Sequence, residues 1–334
     1  MNADPGVSEQ SKSEPISKKI KTEGLKSADC IQKEEEEYFM AVAFLSSMRS
    51  KDPRSKVGAC IVDEKKKVVG VGYNGMPSGI KDYQLPWSKK AKHPLETKKM
   101  YVCHAEMNAI MNTNGTDLAG CTIYVVLFPC AVCTRLIIQA GIKKVIFYSD
   151  KYGHKPKTAP SKLMLEMAKV SYREYKSDAK RKITVDFMMN NGPNTEGSST
   201  GERDYLAWQK YFMALAKLSA LQSKDSPTQV GACIVSKANK IVGLGYKGMP
   251  GRWDVENRHD MFVSHAVENA VMNKNCGDVH GCTIYVTLFP CNECAKIIIQ
   301  AGITEVIYLS GGDGQSDAVR ASKKMLGLAG IPYR

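Results

Sequence analysis

One internal repeat constrains this chain more than any other feature of its sequence. The apolar run Val57–Val62 recurs unchanged at Val230–Val235, and the stretch Gly72–Pro77 recurs with one substitution at Gly245–Pro250. With 334 residues, the chain is long enough for two ordinary domains. The sequence therefore predicts two tandem copies of one folding unit.

The composition of the chain sets the boundaries of the two copies. Residues 1–35 are polar and rich in Ser, Lys and Glu, which is typical of a disordered tail. Residues 188–203 are rich in Asn, Gly, Ser and Thr, as expected of a linker. We therefore predict a first domain at residues 36–187 and a second domain at residues 204–334.

Within each copy, predicted strands alternate with predicted helices. In the first copy, Val57–Val62 and Lys67–Tyr73 read as two strands joined by a short turn, and Cys121–Val126 reads as a third. His104–Met111 and Cys130–Gln139 have the length and flanking residues of helices. A polar, basic loop precedes the first of these helices. This alternation is typical of an α/β fold.

A cluster of zinc-type ligands lies where these two helices begin. His104 and Glu106 form an H-x-E motif, and Cys130 and Cys133 form a P-C-x-x-C motif. The combination resembles the signature of zinc deaminases that act on nucleobases. One imidazole and two thiolates suit Zn²⁺ and leave its fourth position open for water. Glu106 is near the ligands in sequence without being one of them, as a residue that carries protons must be.

Each of these residues has a simpler reading when it is taken alone. A single C-x-x-C is often a redox pair, and a histidine in an apolar stretch is usually a core residue. Glu106 also has the charge that a helix N-terminus favours. Because the combination is much more specific than its parts, we predict zinc at His104, Cys130 and Cys133 and catalysis by Glu106.

The second copy keeps the three ligands and loses the glutamate. His265, Cys291 and Cys294 match the ligands of the first copy, but Val267 occupies the position of the catalytic residue. Glu268 follows it, and one helical step turns that side chain about 100° away. We therefore predict that the second copy binds zinc without transferring protons.

Two polar residues of the first copy are candidates for substrate contacts, and both change in the second. Asn74 offers a donor and an acceptor to sugar hydroxyls, and it becomes Lys247. Arg49 is a candidate phosphate contact, with a surface charge at a helix end as an equally good reading, and it becomes Gln222. The loop before the histidine is also twelve residues shorter in the second copy.

The first copy resembles the deoxycytidylate deaminase family over residues 36–187. The second copy resembles the same family and departs from it at Val267, Lys247, Gln222 and the shortened loop. The resemblance of the first copy rests on stretches well beyond the zinc motif, namely Tyr38–Leu45, Arg49–Pro53, Val57–Val62, Gly72–Pro77, Tyr101–Ile110 and Leu127–Cys130.

This resemblance implies a three-layer α/β/α cytidine-deaminase-like fold with a mixed five-stranded sheet in each copy. It implies zinc-dependent hydrolysis of deoxycytidylate (dCMP) to dUMP and ammonia, which supplies thymidylate synthesis. Glu106 would then move protons, backbone groups around Ala105 and Cys130 would hold the base, and Asn74 would bind the sugar. The resemblance also implies a homo-oligomer, typically a hexamer, and regulation by dCTP and dTTP at a separate site with Mg²⁺. The second copy would then be regulatory or structural.

Three other functions are alternatives to the deamination of dCMP. The net charge of +13 indicates an anionic partner. Deamination of dCTP stays open, because the phosphate contacts are the least constrained part of the sequence. A deaminase that edits DNA or tRNA is disfavoured, because strand binding requires aromatic residues interleaved with Arg and Lys, and aromatic residues make up only 8% of the chain. A zinc-binding regulator without activity is disfavoured, because the first copy keeps every chemical group.

The sequence shows no signal for export or membrane insertion. Its apolar runs are shorter than the roughly 18 residues of a membrane span, and its N-terminus has no apolar segment of a signal peptide. Eleven cysteines without such a signal favour metal ligation and reduced thiols. We expect a cytoplasmic protein. Residues 17–21 read either as a nuclear-import signal or, more simply, as a solvated charge run.

Overall fold

The computed structural model describes residues 28–153, 158–176, 206–224, 228–248 and 263–334. The predicted linker, the import-type charge run and most of the predicted tail lie outside these residues. In the described part of the chain, no helix has the length and apolar character that crossing a membrane requires.

The first copy is a mixed sheet with helices on both faces. The strand order is β2-β1-β3-β4-β5, in which β1 is antiparallel to β2 and β3, whereas β3, β4 and β5 are parallel. The predicted five-stranded α/β/α architecture is therefore confirmed for this copy. In chain order its elements are α1 (Ala28–Ser47), β1 (Gly58–Val62), β2 (Val68–Tyr73), α2 (Ala105–Met111), β3 (Thr122–Leu127), α3 (Ala131–Gln139), β4 (Lys144–Ser149), α4 (Ala159–Met167) and β5 (Ser171–Glu174).

The second copy repeats this order with one difference at its edge. Its sheet has the strand order β7-β6-β8-β9, and beyond β9 the end of the chain forms only a parallel bridge between Val306 and Tyr333. Four strands and this bridge thus stand where five strands were predicted. The elements are α5 (Trp208–Ala220), β6 (Gly231–Val235), β7 (Ile241–Tyr246), α6 (Ala266–Met272), β8 (Thr283–Leu288), α7 (Asn292–Gln300), β9 (Glu305–Ser310) and α8 (Asp317–Leu328).

The side chains of each central strand alternate between two apolar layers. In β1, Ala59 and Ile61 pack in the layer that contains α2 and α3, whereas Cys60 and Val62 pack in the layer that contains α1. Every residue of β1 and of its equivalent β6 is buried. The uninterrupted apolar composition of both strands follows from this burial on both faces.

The layer that contains α1 is shared by the two copies. Helix α1 is buried on every side from Tyr38 to Leu45, and a helix that is apolar all round needs cover on all sides. The first sheet covers one side and α5 of the second copy covers the other. A single buried cluster therefore runs from Cys60 of the first sheet, through both helices, to Cys233 of the second sheet.

Hydrogen bonds across the shared layer form a matched pair. Tyr38 Oη lies 3.0 Å from Ser219 Oγ, and Ser46 Oγ lies 2.9 Å from Tyr211 Oη. The two tyrosines are equivalent positions of the repeat, and so are the two serines. Each copy thus gives the other the same contact, as in a twofold-symmetric dimer. Here the dimer-like contact forms within one chain.

Helix α1 begins earlier than the sequence suggested. We expected a disordered tail up to residue 35, whereas α1 begins at Ala28. Glu36 accepts a hydrogen bond from Gln32 at 3.1 Å and forms an ion pair with Arg173 of β5. The acidic run that begins at Glu34 lies in the second and third turns of this helix, where Glu36 ties the helix to the edge of the sheet.

Candidate active site

The predicted ligands of the first copy lie at the N-termini of two helices. His104 immediately precedes α2 and Cys130 immediately precedes α3, both with extended backbone, while Cys133 lies in the first turn of α3. The positive end of a helix dipole stabilises thiolate relative to thiol. The local backbone therefore prepares both cysteines for a cation.

A glycine and an asparagine fix helix α2 against the edge strand β2. A Cβ atom at Gly72 would lie 2.2 Å from the backbone nitrogen of Ala109, so only glycine permits this approach. Asn108 donates a hydrogen bond from Nδ2 to the carbonyl of Tyr73 at 2.7 Å. These contacts set the position of the first turn of α2, where Glu106 lies.

The spacing of the three ligand atoms fits a tetrahedral zinc ion. His104 Nδ1 lies 3.4 Å from Cys130 Sγ and 3.5 Å from Cys133 Sγ. Zinc bonds of about 2.0–2.1 Å to nitrogen and 2.3 Å to sulfur, at a tetrahedral angle, place these atoms about 3.6 Å apart. The three ligand atoms lie within 4.8 Å of one another, so the cluster needs little movement to bind the ion.

The pKa of the Cys130 thiol and the pKa of the Glu106 carboxyl are shifted in opposite directions. Hydrogen bonds from Cys133 and His104 lower the pKa of the Cys130 thiol to about 3 against the opposing effect of burial, which gives the thiolate that zinc requires. Burial raises the pKa of the Glu106 carboxyl, and the nearby His104 partly offsets this effect. Glu106 is only 4% exposed. A buried carboxyl of this kind is suited to accept and release a proton.

The cluster borders a cavity of about 260 Å³. Ala105, Glu106 and Cys130 line it together with His104. Asp52 and Asn74 line one wall, which also includes Ser55 and Val57 and is called the Asp52–Asn74 wall below. Residues of the ligand cluster, of this wall and of the basic loop thus all line the same cavity.

Asn74, the predicted sugar contact, lines the cavity, and its side chain already makes three hydrogen bonds. Its Oδ1 accepts a hydrogen bond from Val57 N at 2.7 Å, and its Nδ2 donates to Ser55 O at 2.9 Å and to Asp52 Oδ2 at 3.2 Å. Since an amide has two donor hydrogens and two lone pairs on its oxygen, one lone pair of Oδ1 remains for a sugar hydroxyl. The predicted sugar contact is therefore limited to that acceptor.

Arg49 does not reach the cavity. It is 5% exposed, and the carbon of its guanidinium lies 3.8 Å from the ring centroid of Trp208 in the second copy. It also donates a hydrogen bond to the carbonyl of Leu206. The predicted phosphate contact is contradicted by this placement, because packing between the two copies buries a charge that the first copy alone would expose.

The lysines that line the cavity were not predicted from the sequence. Lys89, Lys98 and Lys99 belong to the basic loop before α2 and all contribute to the lining. Lys98 forms an ion pair with the buried Asp52, whereas Lys89 and Lys99 are exposed. The signal for them was the basic composition of a loop that is shortened in the second copy.

The second copy builds the same cluster without the acid. His265 Nδ1 lies 3.3 Å from Cys291 Sγ and 3.2 Å from Cys294 Sγ, so this set also fits zinc. Val267 is 3% exposed at the place of the buried carboxyl in the first copy. Lys247 Nζ donates to Thr228 Oγ1 at 2.9 Å. The second cluster therefore has a buried apolar side chain where the first has a buried carboxyl.

The sheet, the helix positions and the three-ligand cluster together define a zinc-binding deaminase. The sequence profile of the "Cytidine and deoxycytidylate deaminase zinc-binding region" matches residues 33–149 and again residues 206–310. The chain therefore belongs to the cytidine and deoxycytidylate deaminase family. It carries the zinc-binding region of that family twice, which confirms the two-copy architecture predicted from the repeat.

Individual relatives match less than half of this chain. A deoxycytidylate deaminase of Pongo abelii is 59% identical over 151 residues, which are 45% of this chain and 84% of that protein. A probable deoxycytidylate deaminase of Drosophila melanogaster is 50% identical over 157 residues, which are 46% of this chain and 77% of that protein. The apo structure of dCMP deaminase from cyanophage S-TIM5 is 27% identical over 37% of this chain and 94% of that chain, with a TM-score of 0.33.

We predict that the purified chain binds two zinc ions and that each cluster binds one of them. Cys130→Ser should remove only the first-copy ion and Cys291→Ser only the second-copy ion, because each replaces a thiolate ligand by a poorer one. Metal content per chain, measured by mass spectrometry, checks this. Cys276→Ser, which changes a thiol outside both clusters, should keep two ions. Two ions in the Cys291→Ser variant would contradict zinc binding by the second cluster.

Proposed function

We propose that the first copy hydrolyses the exocyclic amine of deoxycytidylate and gives deoxyuridylate and ammonia. The observation that carries this proposal is a buried carboxyl, Glu106, two residues from the histidine of a three-ligand cluster suited to zinc, in a cavity that exposed lysines also line. Family membership and the names of the relatives support the same reaction. We propose no activity for the second copy.

The proton steps fall to Glu106. Zinc held by His104, Cys130 and Cys133 would lower the pKa of a water molecule and so supply the nucleophile near neutral pH. Glu106 takes a proton from this water as the water oxygen bonds to C4 of the base, and it delivers that proton to N3. It then carries the remaining hydroxyl proton to the amino nitrogen, so that the C4–N bond breaks and ammonia leaves.

Backbone groups at the start of α2 are suited to hold the base. Ala105 is the first residue of this helix, is fully buried and lines the cavity. N–H groups in the first turn of a helix have no acceptor within the helix, so they are available to a carbonyl of the pyrimidine. We propose that Ala105 orients the base in this way while the second lone pair of Asn74 Oδ1 accepts from the sugar.

The exposed lysines of the basic loop are our proposed phosphate contacts. Lys89 and Lys99 line the cavity and are exposed to solvent. Lys98 is held by Asp52, so its role is to fix the Asp52–Asn74 wall. This assignment replaces the earlier prediction that Arg49 contacts the phosphate. The two exposed lysines would instead bind the phosphate of a nucleotide substrate.

Three features expected from the resemblance stay predictions. These are regulation by dCTP and dTTP, an Mg²⁺ ion with the effector, and assembly of the tandem chains into a homo-oligomer, such as a trimer that imitates a hexamer. The dimer-like contact within the chain supports the last of these, because it already joins two family domains.

Glu106→Gln should reduce ammonia release from deoxycytidylate by at least about 10²-fold to 10⁴-fold, the contribution typical of a general acid–base group. Glutamine fills the same space and cannot carry the protons, so the zinc content should stay at the wild-type value. The assay supplies deoxycytidylate, deoxycytidine, dCTP and single-stranded DNA in parallel. Activity of the wild type on dCTP or DNA alone would contradict the proposed substrate.

A restored glutamate in the second copy is the matched control for this variant. Glu106→Gln combined with Val267→Glu should stay inactive, because Lys247 still replaces Asn74 and the sequence before His265 is still twelve residues shorter. Substantial turnover by the double variant would show that the second copy lacks only its acid, and that the loop and Asn74 matter less than we propose.

Removing the two exposed lysines should weaken phosphate binding. We expect Lys89→Ala with Lys99→Ala to raise KM for deoxycytidylate about tenfold or more and to leave KM for deoxycytidine unchanged, since a contact to a charged group contributes about 1.5–3 kcal/mol. Lys90→Ala with Lys92→Ala is the matched control, because these exposed lysines of the same loop do not line the cavity. Equal effects of the two double variants would indicate general charge attraction instead of contact.

A further inference from the structure

The contact between the two copies loses its symmetry beside the catalytic cavity. Elsewhere, tyrosine and serine of each copy bond to serine and tyrosine of the other. At this point, Arg49 of the first copy faces Trp208 of the second. The equivalent pair on the opposite side is Gln222 and Glu35. A cation and an indole thus meet only on the side of the copy that has the complete site.

Arg49 and Trp208 are part of a tight junction between the two copies. The guanidinium carbon lies 3.8 Å from the centroid of the indole, a distance at which a cation and an aromatic face attract each other. The Arg49 side chain donates to the carbonyl of Leu206, and the amide of Leu206 donates to the carbonyl of Met48 at 3.0 Å. The end of α1 and the start of α5 are therefore joined at three points.

The junction continues into the Asp52–Asn74 wall. Arg49 precedes Ser50, whose hydroxyl donates to the carbonyl of Asn74 at 2.8 Å and accepts from the amide of Asp52 at 3.2 Å. Trp208 also packs edge-on against Tyr73, with 6.4 Å between ring centroids. Both residues that the indole touches in the first copy are therefore one position away from residues that hold the wall.

We propose that Trp208 is a positioning residue for the active site of the first copy. It holds Arg49 and Tyr73, and through Ser50 it keeps Asn74 and Asp52 where the nucleotide must bind. The second copy then acts as a built-in partner that shapes the catalytic cavity, although its own cluster has no acid. This inference rests on the proposed function, because the wall is taken to contact the sugar of a nucleotide.

The test compares Trp208→Ala with wild type in the full, zinc-loaded chain. We expect KM for deoxycytidylate to rise about tenfold, the change that corresponds to about 1.4 kcal/mol, while kcat stays within about twofold, since the wall binds the sugar and not the reacting carbon. Trp208→Phe should restore most of the wild-type KM, because a phenyl ring keeps an aromatic face for Arg49. Trp208 is only half-buried, so we expect both variants to fold.

Glu35→Ala is the matched control, because Glu35 is the equivalent of Trp208 on the other side of the dimer-like contact. Its carboxylate forms an ion pair with Lys66 of the first copy at 3.3 Å, and it adds to the effect of burial in raising the pKa of Tyr246, the equivalent of Tyr73. This variant should leave KM and kcat at wild-type values. Similar losses in Trp208→Ala and Glu35→Ala would overturn the proposal, because they would reflect weakened contact between the copies in general.

Hydrogen exchange at one amide separates this proposal from the proposed function. The amide of Val57 donates to Asn74 Oδ1, so its exchange reports the position of the wall without any substrate. We expect it to accelerate about tenfold in Trp208→Ala, which corresponds to about 1.4 kcal/mol, and to be unchanged in Glu35→Ala. Wild-type exchange in Trp208→Ala would overturn the positioning role. Absence of deoxycytidylate turnover by the wild type would instead contradict the proposed function, and the Val57 amide would still decide the positioning role.

Discussion

The apolar layer between the two sheets is the constraint on which the rest of the structure depends. Helix α1 is buried from Tyr38 to Leu45, and neither sheet alone covers all of its sides. Packing against α5 removes its second face from water, and burial of apolar surface is the main favourable term in folding. The catalytic copy thus relies on the second copy for part of its own core. A second copy that had lost its catalytic residue would still be needed for this packing.

The two metal clusters show which constraints each copy has kept. The distances between histidine nitrogen and cysteine sulfur are nearly the same in both, at 3.4 and 3.5 Å in the first and 3.3 and 3.2 Å in the second. The helix N-termini that carry them are also alike. The copies differ in one buried side chain, which is Glu106 in the first and Val267 in the second. They also differ in the length of the sequence before the histidine ligand. A scaffold that binds a metal is therefore separable from the chemistry performed on it.

Much of this arrangement was predictable from local sequence, and the parts that were not depend on contacts between distant segments. The strands, the ligand clusters and the repeat could be read directly, since each depends on residues that lie close together in the chain. Arg49 could not be placed, because its partner Trp208 lies in the other copy. The ion pair that ties α1 to β5 joins Glu36 and Arg173, which are far apart in the chain. The lysines of the basic loop were visible as composition, and only the fold shows which of them line the cavity.

We propose that each chain has one nucleotide site, which the first copy forms and the second copy helps to position. Calorimetric titration of the zinc-loaded chain with a deoxynucleoside monophosphate whose pyrimidin-2-one base has no amine to lose tests it most directly. We expect one ligand to bind per chain. Binding of two ligands per chain would contradict it, because the second cluster would then hold a nucleotide despite Val267, Lys247 and its shorter loop.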